Sequence, residues 1–137
     1  MYEYRCKVVH IVDGDTVDVD IDLGFGVWMK KQRIRLYGID TPESRTRDLE
    51  EKKYGLAAKK FLTGMLDDEA GITLKTYKDK EGKFGRILGE LWRITNYADQ
   101  SINEYMIEKH HAVRYYGQSK EDIEEQQLKN RELVSLS

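Results

Sequence analysis

The sequence predicts an α+β domain in which five short strands curl into a partly open barrel and three helices complete the fold. Three observations lead there. Val17, Val19, Ile21 and Leu23 alternate strictly with Thr16, Asp18, Asp20 and Asp22, which is the period of a half-buried strand. Ala58, Phe61, Leu62 and Met65 recur at i, i+3, i+4 and i+7, which is the stripe of an amphipathic helix. The remaining strand-like runs are short and interrupted by glycine, which suits a curved sheet better than a flat one.

The first strand is expected at about 4–12, the second at 16–23 and the third at 32–39, with Gly24 and Gly26 turning the chain between the second and third. A charged loop follows Pro42, and a helix runs from about Tyr54 to Leu66. Strands near 72–77 and 86–94 flank a turn containing Gly82 and Gly85. Ser101-Ile-Asn-Glu104 is a capping box, since the serine and glutamate can satisfy N–H groups left open at a helix start. It opens a helix to about Val113, and Ser119-Lys-Glu-Asp122 caps another to about Val134. That last helix offers only Ile123, Leu128 and Leu133 to a core, so loose attachment is expected.

The 137 residues suit one domain spanning 1–137, long enough to bury a core without covalent staples. Cys6 is the single cysteine, so no internal disulfide can form, and no Cys/His cluster offers a zinc cage. The chain begins Met-Tyr-Glu-Tyr-Arg-Cys-Lys, without the apolar run of a secretory signal, and no run is long enough to span a membrane. A cytoplasmic or viral origin is the resulting expectation. The net charge of −2 argues against a packaging protein held to nucleic acid by its overall field. Any basic groups that act on nucleic acid must be concentrated locally.

Three clusters could carry chemistry: Val12-Asp13-Gly14-Asp15-Thr16, the segment from Arg33 and Arg35 to Asp40-Thr41-Pro42-Glu43, and Lys83-Phe84-Gly85-Arg86. The second places an arginine and two carboxylates beside a proline-stiffened turn. Bringing Asp15 and Asp40 together without a cation is unfavourable, since two charges at 4 Å repel by ~1–4 kcal/mol at effective dielectrics of 80 to 20. A divalent ion removes that penalty, and oxygen donors suit a hard one. A metal and arginines can neutralise a phosphodiester while a spare carboxylate activates water.

The order, spacing and flanking apolar residues of these clusters resemble the staphylococcal nuclease (thermonuclease) family over about residues 4–116: Asp-Gly-Asp-Thr, then Arg-Leu-x-Gly-Ile-Asp-Thr-Pro-Glu, then Gly-Arg after a turn. The resemblance implies a five-stranded OB-fold barrel with three helices. It implies an endonuclease that hydrolyses DNA and RNA with one calcium ion and leaves 3′-phosphate ends. It further implies that Asp15, Asp40 and the backbone carbonyl of Thr41 hold calcium, with Asp13 a carboxylate close behind them. Glu43 matches the general base, and Arg35 and Arg86 match the two phosphate-binding arginines. Lys83 and Tyr115 match nucleotide contacts, with Tyr116 as a further candidate. Partners are then DNA and RNA, single strands preferred, with no membrane, and the protein is expected to be a monomer. Phe84 departs from the family's tyrosine, and Tyr115 and Tyr116 are adjacent where the family separates its two tyrosines by one residue.

Competing readings exist for each residue. Arg35, Glu43 and Arg86 could form ion pairs on a barrel rim, and Asp15 and Asp40 could be turn formers. A domain of this kind could also serve as a non-catalytic nucleic-acid-binding or scaffold module, or bind an oligosaccharide. Asp18, Asp20 and Asp22 fail the EF-hand pattern, because the glycine falls one residue late and Met29 stands where the closing glutamate belongs. They read as a solvated strand face. Packing is the expected role of Cys6, Trp92, Trp28 and Phe25, strand residue that of His10, and surface or packing that of His110 and His111.

Overall fold

The structure, a computed structural model, describes residues 2–66, 71–77, 86–94 and 97–136. Strands β1 (Glu3–Asp13), β2 (Thr16–Gly24) and β3 (Val27–Leu36) form an antiparallel meander. The two-residue strand β4 (Ile39–Asp40) follows, then helix α1 (Leu49–Leu66), β5 (Ile72–Tyr77) and β6 (Arg86–Arg93). The chain ends with β7 (Gln100–Ser101), α2 (Ile102–Glu108), β8 (Val113–Arg114) and α3 (Lys120–Arg131). The main sheet runs β3-β2-β1-β5-β6-β7, and a parallel β3–β6 pairing joins its ends, so that the five longer strands close into a barrel. This is the expected α+β, OB-type architecture, except that the parallel β3–β6 pairing closes the barrel that the sequence led one to expect partly open. Register shifts in β1 and β2, between Val8 and His10 and between Val19 and Ile21 among others, supply the extra twist that closure demands.

The alternating residues of β2 behave as their period requires. Val17, Val19 and Ile21 point inward and meet Ile34, Leu36, Leu74 and Leu91 from neighbouring strands. Leu62 of α1 and Met106 of α2 extend this core. Burying each such side chain contributes about 1.5–3 kcal/mol. Cys6 is buried, and burial pushes its thiol up to about 12. The opposite face of β2 departs from expectation. Asp18 is buried and bonded to Arg33 Nε at 3.0 Å, Asp20 accepts from the Lys31 N–H, and Asp22 accepts from the Gly24 N–H. These carboxylates brace the sheet and its turn instead of facing bare solvent.

Several boundaries differ from the sequence reading for local reasons. Strand β3 begins at Val27, because the turn needs only Phe25 and Gly26, with Gly24, Phe25 and Gly26 all at positive φ. Phe25 is fully exposed, so it packs on nothing, whereas Trp28 lies beneath the Lys7 and Lys30 ammonium groups. Trp92 is half-buried, with Lys75 Nζ 4.0 Å above its ring. Helix α1 starts before Tyr54 because Asp48 caps it, accepting from the Glu50 and Glu51 N–H groups.

Helix α2 has its expected Ser101 cap but stops at Glu108. His110, at φ 65°, donates its N–H to the Ile107 carbonyl, and His111 donates to that of Met106. That pattern ends a helix with a left-handed residue, and it frees Val113 and Arg114 to pair with Asp40 and Ile39. His111 is then buried and stacked on Phe61 at 4.6 Å. Helix α3 has its Ser119 cap but ends at Arg131, short of the expected Val134, and buries none of its residues; Leu128 within it and Leu133 just beyond it are 48% and 63% exposed. It is held through polar side chains instead of the apolar ones that the sequence offered.

Candidate active site

The site lies where the β1–β2 turn, the end of β3, β4 and α3 converge. Asp15 occupies the turn, and its carbonyl accepts from the Leu36 N–H at 2.8 Å, which ties the turn to the end of β3. Its carboxylate accepts from the Thr16 hydroxyl at 3.0 Å and from the Thr41 N–H at 3.2 Å. The turn needs glycine at position 14 for close approach: a Cβ there would stand 2.9 Å from both the Ala58 Cβ and the Thr41 Oγ1. Glycine thus lets the acidic turn lie against α1 and the Thr41 segment.

Arg35 sits between two carboxylates. Its Nη2 is 3.5 Å from Asp15 Oδ2 and 3.3 Å from Asp40 Oδ1, while Nη1 donates to the Leu36 carbonyl at 2.9 Å. Asp40 is placed by β4, which pairs with β8 and brings it opposite Val113. Its second oxygen accepts from Gln127 Nε2 of α3 at 3.0 Å. One guanidinium does not fully compensate this crowding. Burial, and next the Asp15 carboxylate, push the Asp40 carboxyl up to about 6, while Arg35 pulls the other way. The Glu43 carboxyl is raised too, by burial first, then by Asp13, Asp15 and Glu51.

The loop carrying Glu43 is clamped from below. Gly55 of α1 lies so close that a Cβ there would collide with the Glu43 carbonyl and stand 2.7 Å from the Ser44 nitrogen. Thr41 Oγ1 and Ser44 Oγ are buried without a hydrogen-bond partner among the described residues. Buried hydroxyls in that condition mark a place where a water or an ion belongs.

Of the residues expected from sequence, Asp15, Arg35, Asp40 and Thr41 come into direct contact. Asp13 closes β1, accepts from the Gly14 N–H and acts on Asp40 and Glu43 through its charge. Arg86 opens β6 opposite Arg33, two residues from the Leu88 that faces Arg35. Among the described residues no carboxylate pairs with Arg86, whereas Arg33 is engaged by Asp18. Tyr115 donates its N–H to the Gly38 carbonyl, which anchors it beside β4, and its side chain is exposed. Tyr116 is more exposed and donates its N–H to the Gln118 side chain. Lys83 and Phe84 lie outside the described residues.

Three residues at the site escaped the sequence reading: Gln127, Gly55, and Gly14 in its packing role. The spacing of Gln127, Asn130 and Arg131 at i, i+3 and i+4 is the signal that marks a polar docking face on α3.

The sequence profile of the family described as staphylococcal nuclease homologue matches residues 33–134, from the middle of β3 to beyond α3. The thermonuclease of Staphylococcus hyicus is 32% identical over 90 residues, which is 66% of this chain and 49% of its own length. The micrococcal nuclease of Shigella flexneri is 30% identical over 123 residues, 84% of this chain and 62% of its own. An uncharacterized protein of Bacillus anthracis is 39% identical over 82 residues, 60% of this chain and 36% of its own. The chain therefore spans between roughly a third and two thirds of these relatives. With its profile matched over well over half the chain and its five longer strands forming a barrel, the chain belongs to the staphylococcal nuclease homologue family.

Proposed function

We propose that this chain is a calcium-dependent endonuclease that hydrolyses phosphodiester bonds of DNA and RNA, with single strands preferred and 3′-phosphate ends left behind. One observation carries the reading. Asp15 and Asp40 share a single Arg35 nitrogen within 3.5 Å, and the Asp40 carboxyl is still raised to about 6. The pair lacks positive charge. The relatives named thermonuclease and micrococcal nuclease support the nuclease part of this reading.

The residues present fit a hard divalent ion. The donors are carboxylate oxygens, and the neighbouring Thr41 hydroxyl is buried without a partner. Among the described residues no three carboxylate, imidazole or thiol groups converge, so the protein contributes few charged ligands. Asp15, Asp40 and the Thr41 carbonyl would hold the ion. Once bound, calcium supplies Lewis-acid neutralisation of the phosphate.

The chain's own groups perform the remaining work. Glu43 takes a proton from water, and its raised proton affinity makes it a better base near neutral pH than an ordinary carboxylate. The water oxygen bonds to phosphorus as the P–O5′ bond breaks, and the departing oxygen gains a proton from solvent water. Arg35 and Arg86 neutralise charge on the five-coordinate phosphorus, Tyr115 and Lys83 bind nucleotide, and Tyr116 is a further contact.

Digestion of single-stranded DNA and of RNA with calcium, magnesium or EDTA tests this. Cutting is expected with calcium and not with EDTA. Arg35→Ala and Arg86→Ala should each lower the rate by ~10²–10⁵-fold, the range for oxyanion donors and arginine fingers. Glu43→Gln should abolish most of the rate with binding retained. Binding without cutting by the unaltered protein would identify a scaffold, and full activity of Arg86→Ala would overturn the mechanism.

A further inference from the structure

Helix α3 buries none of its residues, yet one of its side chains reaches the centre of the site. Gln127 Nε2 lies 3.0 Å from Asp40 Oδ2, across 87 positions of sequence. A carboxylate has no hydrogen to give, so the amide must present its N–H. Two neighbours on the same helix face fix where Gln127 points. Asn130 Nδ2 donates to the Ala112 carbonyl at 3.2 Å, and the Arg131 guanidinium lies 5.1 Å from the Tyr54 ring centre. Residues at i, i+3 and i+4 share one face, so these three contacts act as one polar docking seam.

The seam gives Asp40 a donor at each oxygen: Arg35 at Oδ1 and Gln127 at Oδ2. The carboxylate is thereby held against rotation. Each oxygen accepts more than one bond, so neither contact uses up its capacity for a cation. A neutral amide donor is too weak to compete with a divalent ion but strong enough to choose a side-chain orientation.

We propose that Gln127 is a positioning residue, which orients the Asp40 carboxylate for the divalent ion and so couples docking of α3 to cation binding. This rests on the calcium reading above. Groups that orient metal ligands typically alter affinity by about 10–100-fold. Gln127 is neutral and only half-buried, so the lower end applies, about tenfold. Coupling is reciprocal: if docked α3 tightens calcium, calcium must tighten the docking of α3.

Calorimetric titration of calcium into the substrate-free protein tests this on the full chain. Gln127→Ala should bind calcium about tenfold more weakly. Its half-saturating calcium for cutting should rise to match, while kcat at saturating calcium stays close to that of the unaltered protein. Asn130→Ala loosens the seam but leaves the amide, so a smaller shift in the same direction is expected. Lys129→Ala, in the exposed pair with Glu125, should change nothing. Hydrogen exchange adds a readout that a purely structural role would not move: calcium should slow exchange of 120–131 in the unaltered protein and not in Gln127→Ala. Equal or tighter calcium binding by Gln127→Ala, beside measurable binding by the unaltered protein, overturns the inference and leaves the calcium reading standing. No calcium binding by the unaltered folded protein overturns both.

Discussion

Asp40 shows what the site costs a single residue. Its carboxyl is held at about 6 in the folded chain, from an ordinary value of 3.8. The folded state therefore binds this proton more tightly than the unfolded state does. The group's contribution to stability is complete below about pH 4 and is lost as pH rises through about 6. About two units at 1.36 kcal/mol per unit bound the loss at about 3 kcal/mol. Metal-free Asp40→Asn should thus be more stable than the unaltered protein at pH 7.5, by up to about 3 kcal/mol, and the advantage should vanish near pH 4. Thermal melts at the two pH values check this, and an equally stable or weaker variant at pH 7.5 would show that the carboxylate is already compensated. The same substitution removes a proposed calcium ligand, so activity should disappear as stability rises.

At the scale of the element, α1 illustrates packing overriding propensity. Gly55 sits inside an 18-residue helix, where alanine is normally favoured by about 1 kcal/mol. A Cβ at this position meets the backbone of Glu43 and Ser44, which cannot yield as a flexible side chain could. Gly55→Ala should therefore destabilise the protein, by about 1–3 kcal/mol as overpacking does, and lower the rate by displacing Glu43. Urea unfolding together with the cutting assay decides, and a stabilised, fully active variant would refute the clamp. The pattern of strands was legible in sequence because alternation reports local geometry, and Arg35, Asp40 and Thr41 because they share one short segment; Asp15, 26 residues from Thr41, joined them only through the family resemblance. Elements set by contacts at long range were not. Strand β8 exists because His110 ends α2 early without the usual glycine. Helix α3 docks through Gln127 and Asn130, whose partners lie 87 and 18 residues away, while the search for an apolar face led to exposed Leu128 and Leu133. The capping aspartate of α1 was visible as Asp48 followed by Glu50 and Glu51, but the apolar stripe begins later and set the expected start too late.

For the molecule as a whole, Cys6 offers a probe of cooperativity. It lies in β1 opposite Ile21 of β2 and Ile72 of β5, and its thiol is pushed up to about 12 by burial. Only a thiolate alkylates readily, so the native protein should react with iodoacetamide at pH 8 far more slowly than a free thiol. Through a urea titration, the rate should follow the unfolded fraction. Labelling at the free-thiol rate in native buffer would mean that β1 opens on its own. Closure through β3 and β6 has a further consequence, for behaviour in concentrated solution. The same five strands in an open sheet would expose two rows of unpaired backbone groups, the usual template on which copies add strand to strand into fibrils. A net charge of −2 gives copies little mutual repulsion. In this protein, keeping neighbours from zipping together falls in part to topology: along Arg33–Leu36 and Arg86–Gly89 the barrel has joined the two edges to each other.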